Sequence, residues 1–262
     1  MTKKQIKKGD DRYTIVGNDA ELSEDADALA MDTVRIPENP KHISLQYSDA
    51  YIIIGKDDRE KADPRTVPYN AICYLAIRSE SGEYHKGTGF FISKRCVIAA
   101  GHCVYLKDSG WARSITVIPG ADGSSRPYGS AVARRFRSVK GWVDKRDYNF
   151  DHGAILLDDE SLFNKVRNAF PFNDGVGEKS IEVSGYPFDK DSTQWKCKAE
   201  ILRRSKYRLF YDGDTLRGNS GSPVFTKSGV VIGVHNIGEN PNYAVRVTED
   251  VRKVWEAWAE TT

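Results

Sequence analysis

The segment that decides the fold reads Arg217-Gly218-Asn219-Ser220-Gly221-Ser222-Pro223-Val224-Phe225, with a serine among small residues directly before an apolar run. A serine hydroxyl is a weak nucleophile at neutral pH, so it needs a base for its proton and fixed donors for the oxyanion that forms. Glycines allow backbone N–H groups to turn toward a bound carbonyl. Ser220 is therefore the candidate nucleophile, with the N–H groups of Gly218 and Ser220 as oxyanion donors. An ordinary Gly/Ser turn would have the same composition.

A candidate base follows an apolar run elsewhere in the chain. Val97-Ile98-Ala99-Ala100 leads into Gly101-His102-Cys103-Val104, which places a histidine at the end of a predicted buried strand. His102 is the candidate general base, because an imidazole changes protonation near neutral pH. A core histidine with a satisfied hydrogen bond is the alternative interpretation of this pattern.

A candidate acid begins a third apolar run, Asp151-His152-Gly153-Ala154-Ile155-Leu156-Leu157. Such an acid can accept the imidazole N–H and fix the tautomer of the base. Asp147, Asp158 and Asp159 are competitors for this role, and a solvated surface acid is the alternative for each. The order His102, Asp151, Ser220, each at a strand end, is the chymotrypsin-type order of a catalytic triad.

Composition and charge exclude several classes of function. The 262 residues carry 39 Lys and Arg against 37 Asp and Glu, a formal net charge of +2, so nucleic acid is not expected as a partner. No apolar stretch approaches the roughly 18 residues that span a bilayer, so no membrane partner is expected. The first 40 residues lack the apolar core of a secretory signal. We therefore expect a cytoplasmic protein, with secretion of a processed form as the alternative.

The chain divides into two parts with different composition. Residues 1–51 contain an acidic belt and the breakers Pro37 and Pro40, which is typical of an N-terminal extension rather than of a core. From residue 52 onward, short apolar runs alternate with turn residues, which predicts a β-barrel or sandwich. The belt comprises Asp19, Glu21, Glu24, Asp25, Asp27 and Asp32. The runs include Ala71–Ile77, Thr88–Ile92, Val97–Ala100, Ile115–Ile118, Ala154–Leu157, Ile181–Gly185 and Val230–His235.

A helix is predicted over residues 248–260. Thr248 can cap it, acids occupy its first turn, and Val251, Val254, Trp255 and Trp258 share one face. The four cysteines (Cys73, Cys96, Cys103, Cys197) lack C-x-x-C spacing, so buried free thiols are expected and no metal site or cofactor is predicted.

From Ile52 to the C terminus the sequence resembles the chymotrypsin-like peptidases, most closely the staphylococcal and bacillary glutamyl endopeptidases. The motifs that carry the resemblance are Ile54–Arg59, Pro68–Ile72, Gly87–Phe90, His102–Tyr105, Tyr148–Ile155, Ser184–Pro187, Gly218–Ser222 and Gly233–Asn236. The resemblance implies an all-β fold with two six-stranded antiparallel β-barrels in a protease domain over 52–262. The barrels would cover roughly 52–135 and 136–247, with the triad in the cleft between them. It also implies a monomer that hydrolyses protein or peptide substrates through an acyl-enzyme.

The resemblance implies that His235 and Thr215 face the substrate side chain and select Glu or Asp, with Arg217 adding positive potential at the pocket mouth. Asp214, six residues before Ser220, stands where trypsin carries the acid that selects Arg or Lys. An unpaired Asp214 would favour basic substrates, whereas a paired one would leave the choice to His235.

Three departures from the family bear on regulation. Cys103 lacks its usual disulfide partner, because Gly87 occupies that position. Asn219 replaces the aspartate that pairs with a new N terminus in chymotrypsin. The expected mature start lies near the Tyr51–Ile52 bond, which does not follow Glu, so another protease would make the cut, or no cut occurs. A catalytically silent binding module on a protease fold is the rival from another class.

Overall fold

The computed structural model describes residues 10–18, 53 and 56–261. Its strands are β1 (Ile15–Asn18), β2 (Glu60–Lys61), β3 (Ile72–Arg78), β4 (Tyr84–Phe91), β5 (Cys96–Ala99), β6 (Tyr105–Leu106), β7 (Gly110–Trp111), β8 (Ser114–Pro119), β9 (Ala131–Ala133), β10 (Arg135–Val139), β11 (Gly153–Leu156), β12 (Ser180–Gly185), β13 (Trp195–Arg204), β14 (Arg208–Tyr211), β15 (Pro223–Phe225), β16 (Val231–Ile237) and β17 (Asn242–Arg246). Its helices are α1 (Gly101–Val104), α2 (Lys140–Val143), α3 (Phe163–Val166) and α4 (Glu249–Glu260), with 3₁₀ turns at Asp11–Tyr13, Tyr69–Ala71 and Tyr148–Phe150.

The first sheet contains eight antiparallel strands in the order β1-β10-β11-β5-β4-β3-β8-β9. Strand β5 lies between β4 and β11, so the chain segments that follow β5 and precede β11 lie at the same end of the sheet. His102 follows β5 and Asp151 precedes β11, and this pairing brings them together. A contact across 49 residues of sequence is thus a consequence of strand order.

The second sheet closes on itself. Its order is β12-β15-β16-β17-β14-β13, with β13 returning to pair with β12, which makes a closed barrel of six strands. The short strand β2 adds to β13. Every residue of β15 and β16 is buried, and most of them are apolar. The predicted all-β architecture is therefore present.

The chain forms two bodies, one built on the first sheet and one on the second. The division between them lies later in the chain than the boundary predicted near residue 135. Strands β10 and β11 pair with the first sheet, and the second sheet takes its strands from Ser180 onward, apart from β2. Phe136 and Val139 of β10 are fully buried in the large core, so their burial requires the first sheet.

Helix α4 confirms the predicted helix and its cap. The Thr248 hydroxyl accepts a hydrogen bond from the Val251 N–H at 3.3 Å, and the predicted apolar face is buried. Trp255 Nε1 donates to His152 Nδ1 at 3.1 Å, which anchors the helix to the first body beside Asp151. No helix in the described part of the chain is both long and apolar enough to cross a membrane.

Residues 10–18, which belong to the predicted extension, lie on the first sheet. Strand β1 pairs antiparallel with β10, from Ile15 opposite Val139 to Asn18 opposite Phe136. The acidic belt at 19–32, Pro37, Pro40 and the Tyr51–Ile52 bond lie outside the described residues.

Candidate active site

The candidate base and acid contact each other twice. The backbone N–H of His102 donates to Asp151 Oδ1 at 2.8 Å, and Nδ1 of its ring lies 2.8 Å from Oδ2. Both residues are buried. Because Asp151 is an acceptor when ionised, this contact places the ring proton on Nδ1 and leaves Nε2 to accept a proton. Nε2 is buried and has no hydrogen-bond partner among the described residues.

The environment of His102 adjusts its basicity. Burial is the largest single effect and lowers the pKa of His102, but the Asp151 carboxylate and Cys103 together raise it by more, so the pKa lies well above the ordinary value of 6.5. Neighbouring His152 behaves in the opposite way, since burial lowers its pKa to about 4. His152 is therefore a neutral core histidine, whereas His102 has the raised pKa and the buried Nε2, without a partner among the described residues, that its predicted role as a base requires.

The turn that presents Ser220 is anchored by strand β4 of the first sheet. The Thr88 hydroxyl donates to the Gly218 carbonyl at 2.7 Å, and the Thr88 N–H donates to the Ser220 carbonyl at 2.9 Å. Neither the Gly218 N–H nor the Ser220 N–H donates a hydrogen bond to any described residue. These are the two N–H groups that the sequence predicts as oxyanion donors, and both are available to a ligand.

Gly218 is required at its position for two reasons. Its φ of +93° lies in a region that side chains disfavour, and an added Cβ would lie 2.3 Å from the Tyr186 carbonyl oxygen. The neighbouring Phe188 N–H donates to the Arg217 carbonyl at 2.7 Å. The 186–188 segment therefore packs directly against the glycine whose N–H is predicted to be the first oxyanion donor.

Asn236 connects the nucleophile to the acid, a role that sequence reasoning missed. Its backbone carbonyl accepts from Ser220 Oγ at 3.4 Å, its side-chain amide donates to the Asp151 carbonyl, and its side-chain oxygen accepts from the Val245 N–H. A buried asparagine inside an otherwise apolar strand was the available signal. Ser220, Asp151 and His102 are thus linked through Asn236, with the serine hydroxyl turned toward β16.

The predicted substrate residue His235 is buried on β16 and bonded to a second residue that the sequence analysis did not name. The Tyr211 hydroxyl lies 2.5 Å from His235 Nδ1. Burial holds the pKa of Tyr211 well above its usual range, so the phenol keeps its proton. Burial, reinforced by His102, lowers the pKa of His235 to about 3, so its ring is neutral in the empty pocket. Tyr211 then donates to Nδ1, which places the imidazole proton on Nε2.

The other predicted pocket residues have defined partners. Asp214 is buried, and its Oδ2 accepts from the Asp58 backbone N–H at 3.2 Å. Burial and then the Asp214 charge raise the pKa of Asp58, so the two carboxyl groups interact. The Thr215 hydroxyl donates to Asn242 Oδ1 at 2.7 Å. Arg217 is half-buried beside the oxyanion turn.

Lys86 is a buried cation beside the oxyanion turn that the sequence analysis also missed. Its Nζ donates to the Pro187 carbonyl at 2.9 Å and lies 5.4 Å from the centroid of the Tyr74 ring. Burial lowers the pKa of Lys86 to about 8, against opposing contributions from Asp189 and Asp191. A lysine inside the buried run that ends in Gly87-Thr88-Gly89 was the sequence signal.

All four cysteines are buried and unbridged, which confirms the predicted free thiols. A Cβ built on Gly87 would lie 2.9 Å from Cys103 Sγ. Position 87 is thus where a disulfide partner for Cys103 would stand. Within 10–18 and 56–261, no group of three or more His, Cys, Asp or Glu residues could hold a metal ion.

The geometry agrees with comparisons to known proteins. The family model described as Trypsin matches residues 58–254, three quarters of the chain. The chain belongs to the trypsin family. Among family relatives, a Bacillus subtilis protein named extracellular metalloprotease is 37% identical over 222 residues, which cover 79% of this chain and 69% of the relative. A glutamyl endopeptidase of Bacillus licheniformis is 38% identical over 182 residues, covering 67% of this chain and 55% of the relative.

A solved trypsin-family structure extends the comparison to the fold. The structure of a Glu endopeptidase in complex with MPD aligns with a TM-score of 0.73 at 27% identity, covering 80% of this chain and 100% of the other. The chymotrypsin-like fold and the likeness to glutamyl endopeptidases are thereby confirmed. The matched region spans about half to two thirds of the length of the curated relatives.

Proposed function

We propose that this trypsin-family protein is a serine endopeptidase that cleaves after glutamate, or aspartate, using His102, Asp151 and Ser220. The observation that carries the proposal is the doubly bonded His102–Asp151 pair, which leaves a buried Nε2 with no partner in the described part of the chain. An unpartnered buried ring nitrogen costs free energy in the resting protein. Its use as a proton acceptor explains why that cost is tolerated.

The reaction has two halves. Ser220 Oγ turns from the Asn236 carbonyl, transfers its proton to His102 Nε2 and attacks the scissile carbonyl carbon. The resulting oxyanion accepts hydrogen bonds from the Gly218 and Ser220 N–H groups, and the leaving amine takes the proton from His102 as the C–N bond breaks. Water then attacks the Ser220 ester with His102 again as base. Ser220 is restored and the carboxyl product leaves.

The preference for an acidic side chain rests on the partners of two buried residues. Asp214 accepts from Asp58 and lies beside the Asp58 carboxyl group, and the two also line one groove with Gly213 and Lys198. His235 is held by Tyr211 as an Nε2–H donor. A carboxylate is a strong acceptor for such a donor, whereas a lysine or arginine side chain would place a donor against a donor.

A substrate panel tests this proposal. Fluorogenic peptides that differ only in Glu, Asp, Gln or Arg before the scissile bond are compared for kcat/KM, with Ser220→Ala as the inactive control. We expect Glu to be hydrolysed fastest. Faster cleavage after Arg would favour the trypsin-like alternative directed by Asp214.

Fluorophosphonate labelling tests the enzyme class separately from specificity. We expect the wild-type chain to be labelled and Ser220→Ala to remain unlabelled. Because one relative is named a metalloprotease, the same assay includes a chelator, which we expect to change neither labelling nor turnover. Absence of labelling in the folded wild-type chain, even after removal of residues 1–51, would favour a silent binding module.

We further propose that a different protease cuts near Tyr51–Ile52, because the residue before that bond is tyrosine rather than glutamate, and that residues 10–18 stay paired with β10 after the cut. N-terminal sequencing of active enzyme tests this proposal. A fully active chain that still begins at Met1 would contradict it.

A further inference from the structure

Residues 10–18, which we call the N-terminal clasp, are fitted to the first sheet by more than strand pairing. The Asn18 side chain accepts from the Phe136 N–H at 2.8 Å and donates to the Arg134 carbonyl at 3.2 Å. The Thr14 carbonyl accepts from the Lys140 N–H at 2.9 Å. The clasp therefore satisfies backbone groups that would otherwise lie at a sheet edge.

Arg12 fills a site between two aromatic rings. Its guanidinium carbon lies 4.7 Å from the centroid of the Phe150 ring and 5.4 Å from that of Tyr207. It donates to Asp10 at 2.9 and 2.7 Å and to the Tyr207 hydroxyl at 2.9 Å. Tyr13 contacts Phe150 edge to face, with centroids 5.0 Å apart. A planar cation with fixed donors is suited to such a site.

The clasp acts on the loop that carries the candidate acid. Phe150 immediately precedes Asp151 and ends the 3₁₀ turn Tyr148–Phe150. Asp147 caps the start of this turn by accepting a hydrogen bond from the Asn149 N–H at 2.9 Å. Arg12 lies 4.0 Å from Asp147. Tyr207 belongs to the second body, so Arg12 joins that body to the loop. No contact of the clasp with a described residue involves His102, Ser220 or His235.

We propose that the N-terminal clasp is required for full activity of the protease. It holds the Asp147–Asp151 loop in the position in which Asp151 bonds to His102. Arg12 and Tyr13 are positioning residues in this arrangement. The clasp contacts Phe150 and Asp147, which precede Asp151 in the chain, and it does not cross the cleft. It therefore does not inhibit the enzyme by blocking substrate binding. The inference concerns triad geometry and does not depend on preference for glutamate.

The first experiment uses the full chain with Arg12→Ala and Tyr13→Ala, singly and together. Asp11→Ala is the matched control, because Asp11 is exposed and its carboxylate makes no contact with the described residues. Tyr13→Phe keeps the ring on Phe150 and serves as the conservative rescue. Readouts are kcat, KM and the rate of fluorophosphonate labelling, measured well below each variant's thermal midpoint.

We expect the double variant to lose roughly tenfold in kcat and labelling rate with KM little changed, and Tyr13→Phe to match wild type. Hydrogen exchange at amides 149–152 should accelerate, while exchange in β15 and β16 should not. An unchanged labelling rate in the double variant would overturn the proposal. A faster rate would overturn it in favour of inhibition.

A second experiment covers the case in which the double variant does not fold. A recognition sequence for a site-specific protease is inserted between residues 20 and 50 of the wild-type chain, and the folded protein is cut. If the N-terminal fragment co-elutes with an active protease domain on gel filtration, the proposal is supported. Release of the fragment together with loss of fluorophosphonate labelling also supports it. Release with full activity would overturn it.

Discussion

The Tyr211 hydroxyl bonds to Nδ1 of His235 at 2.5 Å, inside the closed barrel and away from solvent. This contact decides which face of the imidazole carries a proton. Without it, a buried neutral histidine could hold its proton on either nitrogen. Tyr211 therefore converts His235 into a fixed donor, on which the proposed substrate preference depends.

Tyr211→Phe should lower kcat/KM for Glu substrates by roughly tenfold, because loss of the phenol leaves Nδ1 unsatisfied and frees the tautomer. Cleavage after uncharged residues should change much less, so selectivity falls with activity. Tyr243→Phe is the matched control, since the hydroxyl of this buried tyrosine donates no hydrogen bond to a described residue. Equal losses for Glu and uncharged substrates would show that Tyr211 is structural only.

Asp214→Asn should preserve or raise activity toward Glu substrates by a few-fold and create no preference for Arg. The amide oxygen can still accept from the Asp58 N–H, while the negative charge disappears. Asp212→Asn, a change at an exposed neighbour, controls for general surface charge. Loss of a wild-type Arg-cleaving activity in Asp214→Asn would identify Asp214 as the specificity residue.

The pH dependence of kcat/KM should have an acid limb above pH 6.5, the ordinary pKa of histidine. Only neutral His102 can accept the serine proton, and Asp151 raises the pKa of His102, so activity rises as pH passes through that raised value. Asp151→Asn should shift the limb to lower pH and reduce kcat by on the order of 10³–10⁴. Asp158→Asn, a competitor for the acid role, should do neither. An unshifted limb in Asp151→Asn would assign the acid elsewhere.

Gly218→Ala should lower kcat and the labelling rate by roughly 10²–10³-fold, because the new Cβ displaces an oxyanion donor. Gly229→Ala is a sharp control: its φ of +79° imposes a similar backbone cost of about 1 kcal/mol, but no atom lies within 4 Å of the new Cβ. Comparable activity losses in both variants would show that strain, and not the oxyanion donor, is responsible.

Local sequence signals predicted much of the scaffold. The Thr248 cap and the apolar face of α4 depend on residues within one or two turns of each other, so their geometry follows from the sequence. The apolar runs around Ile72, Val97 and Ile155 were predicted as strands, and in the structure they are strands whose consecutive residues are almost all buried. The motifs around His102 and Asp151 were predicted as separate strand ends. Their contact required strands β5 and β11 to pair.

Non-local partners account for what was missed. Strand β1 is only four residues long, and its partner β10 lies more than a hundred residues away in the sequence. No local sequence pattern therefore predicts the pairing. Lys86, Tyr211 and Asn236 lie on strands whose sequences look like ordinary barrel segments. Their roles come from groups that the fold places beside them, namely Pro187, His235 and Asp151.

By itself the sequence determined which chemical groups are present and where the chain turns: a serine between glycines, a histidine and an aspartate at strand ends, and a capped C-terminal helix. The tertiary structure decided the state of those groups. Asp151 makes His102 a stronger base, burial beside Tyr211 makes His235 a neutral donor, and Asp58 engages Asp214. Protonation and hydrogen-bond direction depend on neighbours in space, and those neighbours are distant in the chain.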